Sequence, residues 1–140
     1  MTNSEKSKFH ISLAITDISE TVKFYSKLFG SEPIKVKGDY AKFELDNPGL
    51  VISFTLSDQI VLHEFGHLGI RVNSNDILEQ RKSEVQQFLE IALEEKETNC
   101  CHAKQNKFWV ADPDGYRWEI YYFIEDVQED QPKKELIGCC

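Results

Sequence analysis

The chain has 140 residues, 41% of them hydrophobic and 29% charged, with a formal net charge of −8. That length predicts one domain with a sizeable core, and the acidic balance argues against nucleic acid or an anionic membrane as a main partner. The polar start from Met1 to Lys8 predicts no export leader, no apolar run reaches the roughly 20 residues that span a bilayer, and the expected location is cytoplasmic.

After an N-terminal segment over 1–8, His10-Ile11-Ser12-Leu13-Ala14-Ile15 alternates apolar with small or polar residues, the period of a half-buried strand. Asp17-Ile18-Ser19-Glu20 then gives a capping-box-like start. Ile18, Val22, Tyr25 and Phe29 follow at helical spacing, and Gly30 is a natural stop. Strand-like stretches come next at Glu32 to Val36, Tyr40 to Leu45 and Leu50 to Leu56, broken at Gly38 and Asn47-Pro48-Gly49. The chain then starts over. His67-Leu68-Gly69-Ile70-Arg71-Val72 resembles the first strand, and Ser74 or Asn75 can cap a longer helix with a stripe of Leu78, Val85, Phe88, Leu89 and Ala92. The acidic run from Glu90 to Glu97 reads as a solvated helix face. Three further strands are expected at Glu97 to Ala103, Lys107 to Ala111 and Arg117 to Ile124.

Each half therefore reads β-α-β-β-β, with modules at about 9–57 and 65–124. Together they predict an α+β domain over 9–124 whose mixed sheets curl around a cavity. The stretch 125–140 shows no periodicity and is expected to be a mobile tail. Four cysteines with no export signal are expected as reduced thiols. They come as two adjacent pairs, Cys100-Cys101 and Cys139-Cys140.

Side chains alternate across a strand. With Ile11, Leu13 and Ile15 on the core face, His10 lies on the other. By the same count His67 opposes Leu68, Ile70 and Val72, and Glu119 opposes Trp118, Ile120 and Tyr122. If those second faces line a cavity, His10, His67 and Glu119 make a facial set of two imidazoles and a carboxylate for a divalent metal. The competing reading of each histidine is a hydrogen-bonded structural residue. His63-Glu64-Phe65-Gly66-His67 also matches the H-E-x-x-H pattern of zinc proteases, which requires a helix. Gly66 and the strand-like run after His67 argue against it and leave His63 in an approach loop. Vicinal thiols at Cys100-Cys101 suit a soft, thiophilic atom, while a carboxylate suits a harder metal; two small residues on a strand are the plainer reading of the pair. Trp109 and Tyr121 are expected in the core or as cavity walls, and Arg117 paired with a surface acid.

Three blocks in order resemble the vicinal oxygen chelate superfamily of glyoxalase I, bleomycin-resistance proteins and extradiol dioxygenases. They are Phe9 to Asp17 continuing through Val22 to Gly30, then Gly66 to Ile70, then Asp112-Pro113-Asp114-Gly115-Tyr116-Arg117-Trp118-Glu119. A narrower resemblance rests on Thr98-Asn99-Cys100-Cys101-His102-Ala103-Lys104-Gln105-Asn106-Lys107-Phe108-Trp109-Val110. This block is similar to the cadmium-induced proteins and to the C–As lyases that cleave trivalent organoarsenicals. The resemblance implies a nonheme Fe(II) oxygenase that turns methylarsenite into arsenite and formaldehyde with O₂. It implies Cys100 and Cys101 as the arsenic-binding thiols, and His10, His67 and Glu119 as iron ligands and catalytic residues. A non-catalytic thiol protein that sequesters Cd(II) or As(III), and another glyoxalase-like enzyme, are the alternatives. Monomer and homodimer are both compatible with this fold.

Overall fold

In the computed structural model, residues 7–60, 66–100 and 103–126 are described. The elements run β1 (Phe9–Ile15), α1 (Ile18–Phe29), β2 (Lys35–Lys37), β3 (Tyr40–Leu45), β4 (Leu50–Leu56), β5 (Leu68–Val72), α2 (Asn75–Gln86), β6 (Leu93–Cys100), β7 (Ala103–Ala111) and β8 (Arg117–Asp126). The fold is α+β, with β-α-β-β-β occurring twice. Each repeat makes a four-stranded mixed sheet, in the orders β1-β4-β3-β2 and β5-β8-β7-β6. The first strand of each repeat pairs parallel with its last, and the remaining pairs are antiparallel. The chain divides into two compact units, residues 1–61 with 112–114, and residues 62–111 with 115–140. Among the described residues no helix is long and apolar enough to cross a membrane.

In the first unit the α1 boundaries follow from capping chemistry. Asp17 accepts the Glu20 N–H at 2.8 Å, satisfying one of the orphan donors at the helix start. Gly30 closes the helix with φ 62°, a left-handed conformation that costs glycine little. Thr21, Phe24, Tyr25, Leu28 and Phe29 are the buried residues of α1. Tyr25 packs on Phe54 with ring centroids 4.4 Å apart, and Phe29 meets Phe43 edge-on at 5.5 Å. Burial of each such ring contributes about 1.5–3 kcal/mol. The chain enters β2 only at Lys35, because Pro33 has no N–H to give a ladder.

The second unit departs from the expected boundaries in four places, one being β7, which begins at Ala103 rather than Lys107. Its helix begins as expected at the Ser74 cap, where the hydroxyl accepts the Ile77 N–H, but it ends at Gln86. Leu78 and Val85 are its buried residues, while Phe88, expected on the helical stripe, is 59% exposed. The acidic run expected as a helix face is strand from Leu93 onward. Ala92 donates its N–H to the Trp109 carbonyl at 2.8 Å, and the Lys82 ammonium bridges from α2 to Glu94 at 2.6 Å. These long-range bonds outweigh the weak helical preference of the glutamates and lysine. Finally, β8 continues to Asp126, two residues past the expected end. The remainder of the expected tail, 127–140 with Cys139 and Cys140, lies outside the described residues.

Candidate functional site

Register decides which side chains of the second sheet share a face. Gly69 on β5 stands opposite Glu119 on β8, and Glu119 stands opposite Trp109 on β7. Two residues along each strand, on the same face, Lys107 pairs with Tyr121. Phe108, Val110, Trp118 and Ile120 alternate with these residues and fill the buried core with Leu78 and Val85. The other face carries a cavity of about 300 Å³ lined by His67, Gly69, Gln105, Glu119 and Tyr121. Its volume is at the lower end for small-molecule sites.

Glu119 is the centre of that face, buried at 5% exposure. Its two oxygens are differently engaged. Oε2 accepts a hydrogen bond from the Lys107 ammonium at 2.8 Å, whereas Oε1 lies 3.6 Å from His67 Nε2. The second distance is too long for a hydrogen bond. It is close to the separation, about 3–3.5 Å, of two donors that share one ion through bonds near 2.1 Å. An imidazole nitrogen and a carboxylate oxygen are donor types that first-row divalent metals accept. The pair therefore fits as part of a metal centre. Among the described residues no group of three or more His, Cys, Asp or Glu side chains gathers into a metal-holding cluster.

Several neighbours hold the pair in place. His67 meets Trp109 edge-on with centroids 5.0 Å apart. Lys107 is 2% exposed, with the rings of Trp109 and Tyr121 each 5.7 Å from its Nζ. An ammonium so far from water needs a counter-charge, and Glu119 supplies it. Gly69 is required by space: a Cβ there would lie 2.9 Å from Glu119 Cγ. Gln105, which also lines the cavity, has a buried Oε1 with no hydrogen-bond partner among the described residues. Arg117, expected against a surface acid, instead donates to the Gly66 carbonyl at 3.5 Å and lies over the Trp109 ring at 5.8 Å.

The structure thus brings His67 and Glu119 together. His10 stands exposed on β1 in the first unit. The backbone of Cys100 ends β6 opposite Ala103, two residues before Gln105. Cys101, His102, His63 and Glu64 lie outside the described residues. His67 leads directly into strand β5, so the stretch after it is not the helix a zinc protease would require. Lys107 and Gln105 are site residues that the sequence reading missed. A lysine alternating with Trp109 on a strand that also carries Phe108 and Val110 was the available signal, since lysine is almost never fully buried unless paired.

The family model described as Glyoxalase/Bleomycin resistance protein/Dioxygenase superfamily matches residues 9–120. The chain is 39% identical to the trivalent organoarsenical cleaving enzyme of Bacillus sp. (strain MD1), over 94% of this chain and 88% of that protein. It is 36% identical to the cadmium-induced protein CadI of Mycobacterium bovis, over 96% and 93%. Among solved structures, a glyoxalase/bleomycin resistance protein/dioxygenase from Alicyclobacillus acidocaldarius superposes with a TM-score of 0.70 at 17% identity, covering 85% of this chain and 92% of that one.

Proposed function

The chain belongs to the Glyoxalase/Bleomycin resistance protein/Dioxygenase superfamily, and we propose that it is a nonheme Fe(II)-dependent oxygenase that cleaves the carbon–arsenic bond of trivalent organoarsenicals. The observation that carries this reading is the His67–Glu119 pair in a cavity on the same sheet whose β6–β7 hairpin bears Cys100-Cys101. Relatives at 39% and 34% identity named for organoarsenical cleavage support it.

Methylarsenite exchanges its two hydroxyls for the sulfurs of Cys100 and Cys101, each hydroxyl leaving with a thiol proton as water. Trivalent arsenic is soft and favours sulfur, and chelation holds the methyl carbon in one place, which removes much of the entropic barrier to its reaction. His67 Nε2 and Glu119 Oε1 would hold the iron, and His10 is proposed as the third ligand. Bound there, Fe(II) would supply the activation of O₂ that oxidation of that carbon requires. Lys107 keeps Glu119 Oε2 occupied, which would leave Oε1 as the oxygen available to a metal. The reaction closes on itself: CH₃As(OH)₂ and O₂ give As(OH)₃ and formaldehyde. The carbon yields the four electrons that O₂ accepts, arsenic stays trivalent, and no external reductant is consumed. A reducing cytoplasm would keep the thiols available.

The second reading, thiol-based sequestration of a soft metal, draws on the relatives named as cadmium-induced. Oxygen separates the two. Protein loaded anaerobically with Fe(II) and methylarsenite should release arsenite only after air is admitted. Stable binding without arsenite, with iron and air present, would reject the enzymatic reading. Glu119→Ala should abolish turnover and iron retention together while leaving arsenical affinity intact.

A further inference from the structure

The β6–β7 ladder contains one irregularity, and it lies just ahead of the cysteines. Glu95 pairs with Lys107, but the next partners are Thr98 and Gln105, so Lys96 and Glu97 together oppose Asn106. Glu97 takes φ 48°, a left-handed conformation that side chains other than glycine rarely adopt. Asn106 braces it: its Oδ1 accepts the Glu97 N–H at 2.7 Å, and its Nδ2 donates to Asn75 Oδ1 on α2 at 2.8 Å. A bulge of this kind moves every later position to the opposite face. Leu93 and Glu95 share the face of Trp109 and Lys107; in an unbroken strand positions 97, 99 and 101 would follow them. With the bulge, positions 98 and 100 follow instead, paired with Gln105 and Ala103.

From this geometry we infer that the Asn75–Asn106 brace sets the backbone register at the end of β6, from Thr98 to Cys100, and so presents the Cys100-Cys101 pair for arsenic. The inference rests on the function proposed above. Asn75 and Asn106 are positioning residues, acting through backbone register. Without the Asn106 acceptor, the ladder regains one-to-one pairing, placing Glu97 opposite Gln105 and Asn99 opposite Ala103. Cys100 then leaves the ladder. Deleting Glu97 restores the lost pairing by a different route, since a regular ladder one residue shorter again puts Thr98 opposite Gln105 and Cys100 opposite Ala103.

The test compares the wild-type chain with Asn106→Val, a Glu97 deletion and the two combined. Cross-strand nuclear Overhauser contacts read the register without any arsenical, and a methylarsenite titration reads affinity. Asn106→Val should lose the Thr98–Gln105 contact and bind methylarsenite about tenfold more weakly or worse, as a lost second thiolate removes the effective-concentration gain of chelation. The deletion alone and the combined variant should keep wild-type register and affinity. Unchanged register in Asn106→Val overturns the inference, and so does a combined variant that fails to recover it. If Asn106→Val does not fold, the combined variant still decides, because a ladder without a bulge has no need of the brace. A wild-type protein that binds no methylarsenite sinks the functional reading instead, and the register contacts then judge the brace separately.

Discussion

Two buried carboxylates, one in each unit, show what separates a structural acid from a reactive one. Asp112, in the turn that belongs with the first unit, accepts the Tyr25 hydroxyl at 2.6 Å on Oδ2 and the Asp114 N–H at 2.9 Å on Oδ1. Both of its oxygens are used by neutral donors, and the ring that supplies one of them sits in a fully apolar cluster with Phe29, Phe43 and Phe54. Glu119 has one oxygen held by a buried ammonium and the other turned toward an imidazole beyond hydrogen-bond reach, at the wall of a cavity. The first arrangement is complete as it stands. The second leaves a donor free, which is the condition for binding something further.

The largest effect that probes this contrast comes from Lys107. Lys107→Met leaves Glu119 buried beside no cation, and removing one partner of such a pair costs about 3–5 kcal/mol. Chemical denaturation should show that loss, and Lys107→Met with Glu119→Leu should recover most of it, because an apolar pair has no unpaired charge to bury. A neutral single variant would mean that Glu119 is as self-sufficient as Asp112 and would remove the basis for treating it as a ligand. Tyr25→Phe is the matching change in the first unit. It deprives Asp112 of a buried donor and should lower stability by about 1–3 kcal/mol, with iron affinity unchanged in a metal titration. Weakened iron binding in Tyr25→Phe would erase the division between the two acids.

How much of this was readable beforehand depended on the kind of interaction involved. The bounds of α1, β3, β4 and β5 were legible because local chemistry sets them: the Asp17 cap, the Gly30 stop, the breaks at Gly38 and Asn47-Pro48-Gly49, and strict alternation in Leu68–Val72. The face shared by His67 and Glu119 was legible from the same period of two. Leu93–Cys100 was not, since its composition favours helix and only the partners on β7 and the Lys82 bridge make it a strand. The bulge at Glu97 was hidden for the same reason. Nothing in Lys96-Glu97 announces a left-handed residue, and the asparagines that brace it are 9 and 31 residues apart in the relevant bonds. Lys107 was missed because its partner lies 12 residues away on the neighbouring strand.

The smallest expected effect separates the buried pair from a surface one in the same unit. Lys82 donates to Glu94 at 2.6 Å and lies 2.9 Å from Glu79, with Glu94 37% exposed at its side chain. The hydrogen bonds to Glu94 and then Glu79 raise the Lys82 ammonium above its ordinary 10.5, and the Lys82 hydrogen bond holds Glu94 below its ordinary 4.5. A lowered carboxyl value means stability present above 4.5 and lost as the pH falls through the folded value; a raised amine value means stability present below 10.5 and lost as the pH rises through its own. Solvent at Glu94 screens the pair, so Lys82→Met should cost only about 0.5–1 kcal/mol at neutral pH. That difference from wild type should shrink at both ends of the pH range. The bridge also ties α2 to the first half of β6, ahead of the bulge, so its loss should leave the Thr98–Gln105 register untouched. A Lys82→Met cost as large as that of Lys107→Met, or independent of pH, would show that exposure is not what divides the two lysines.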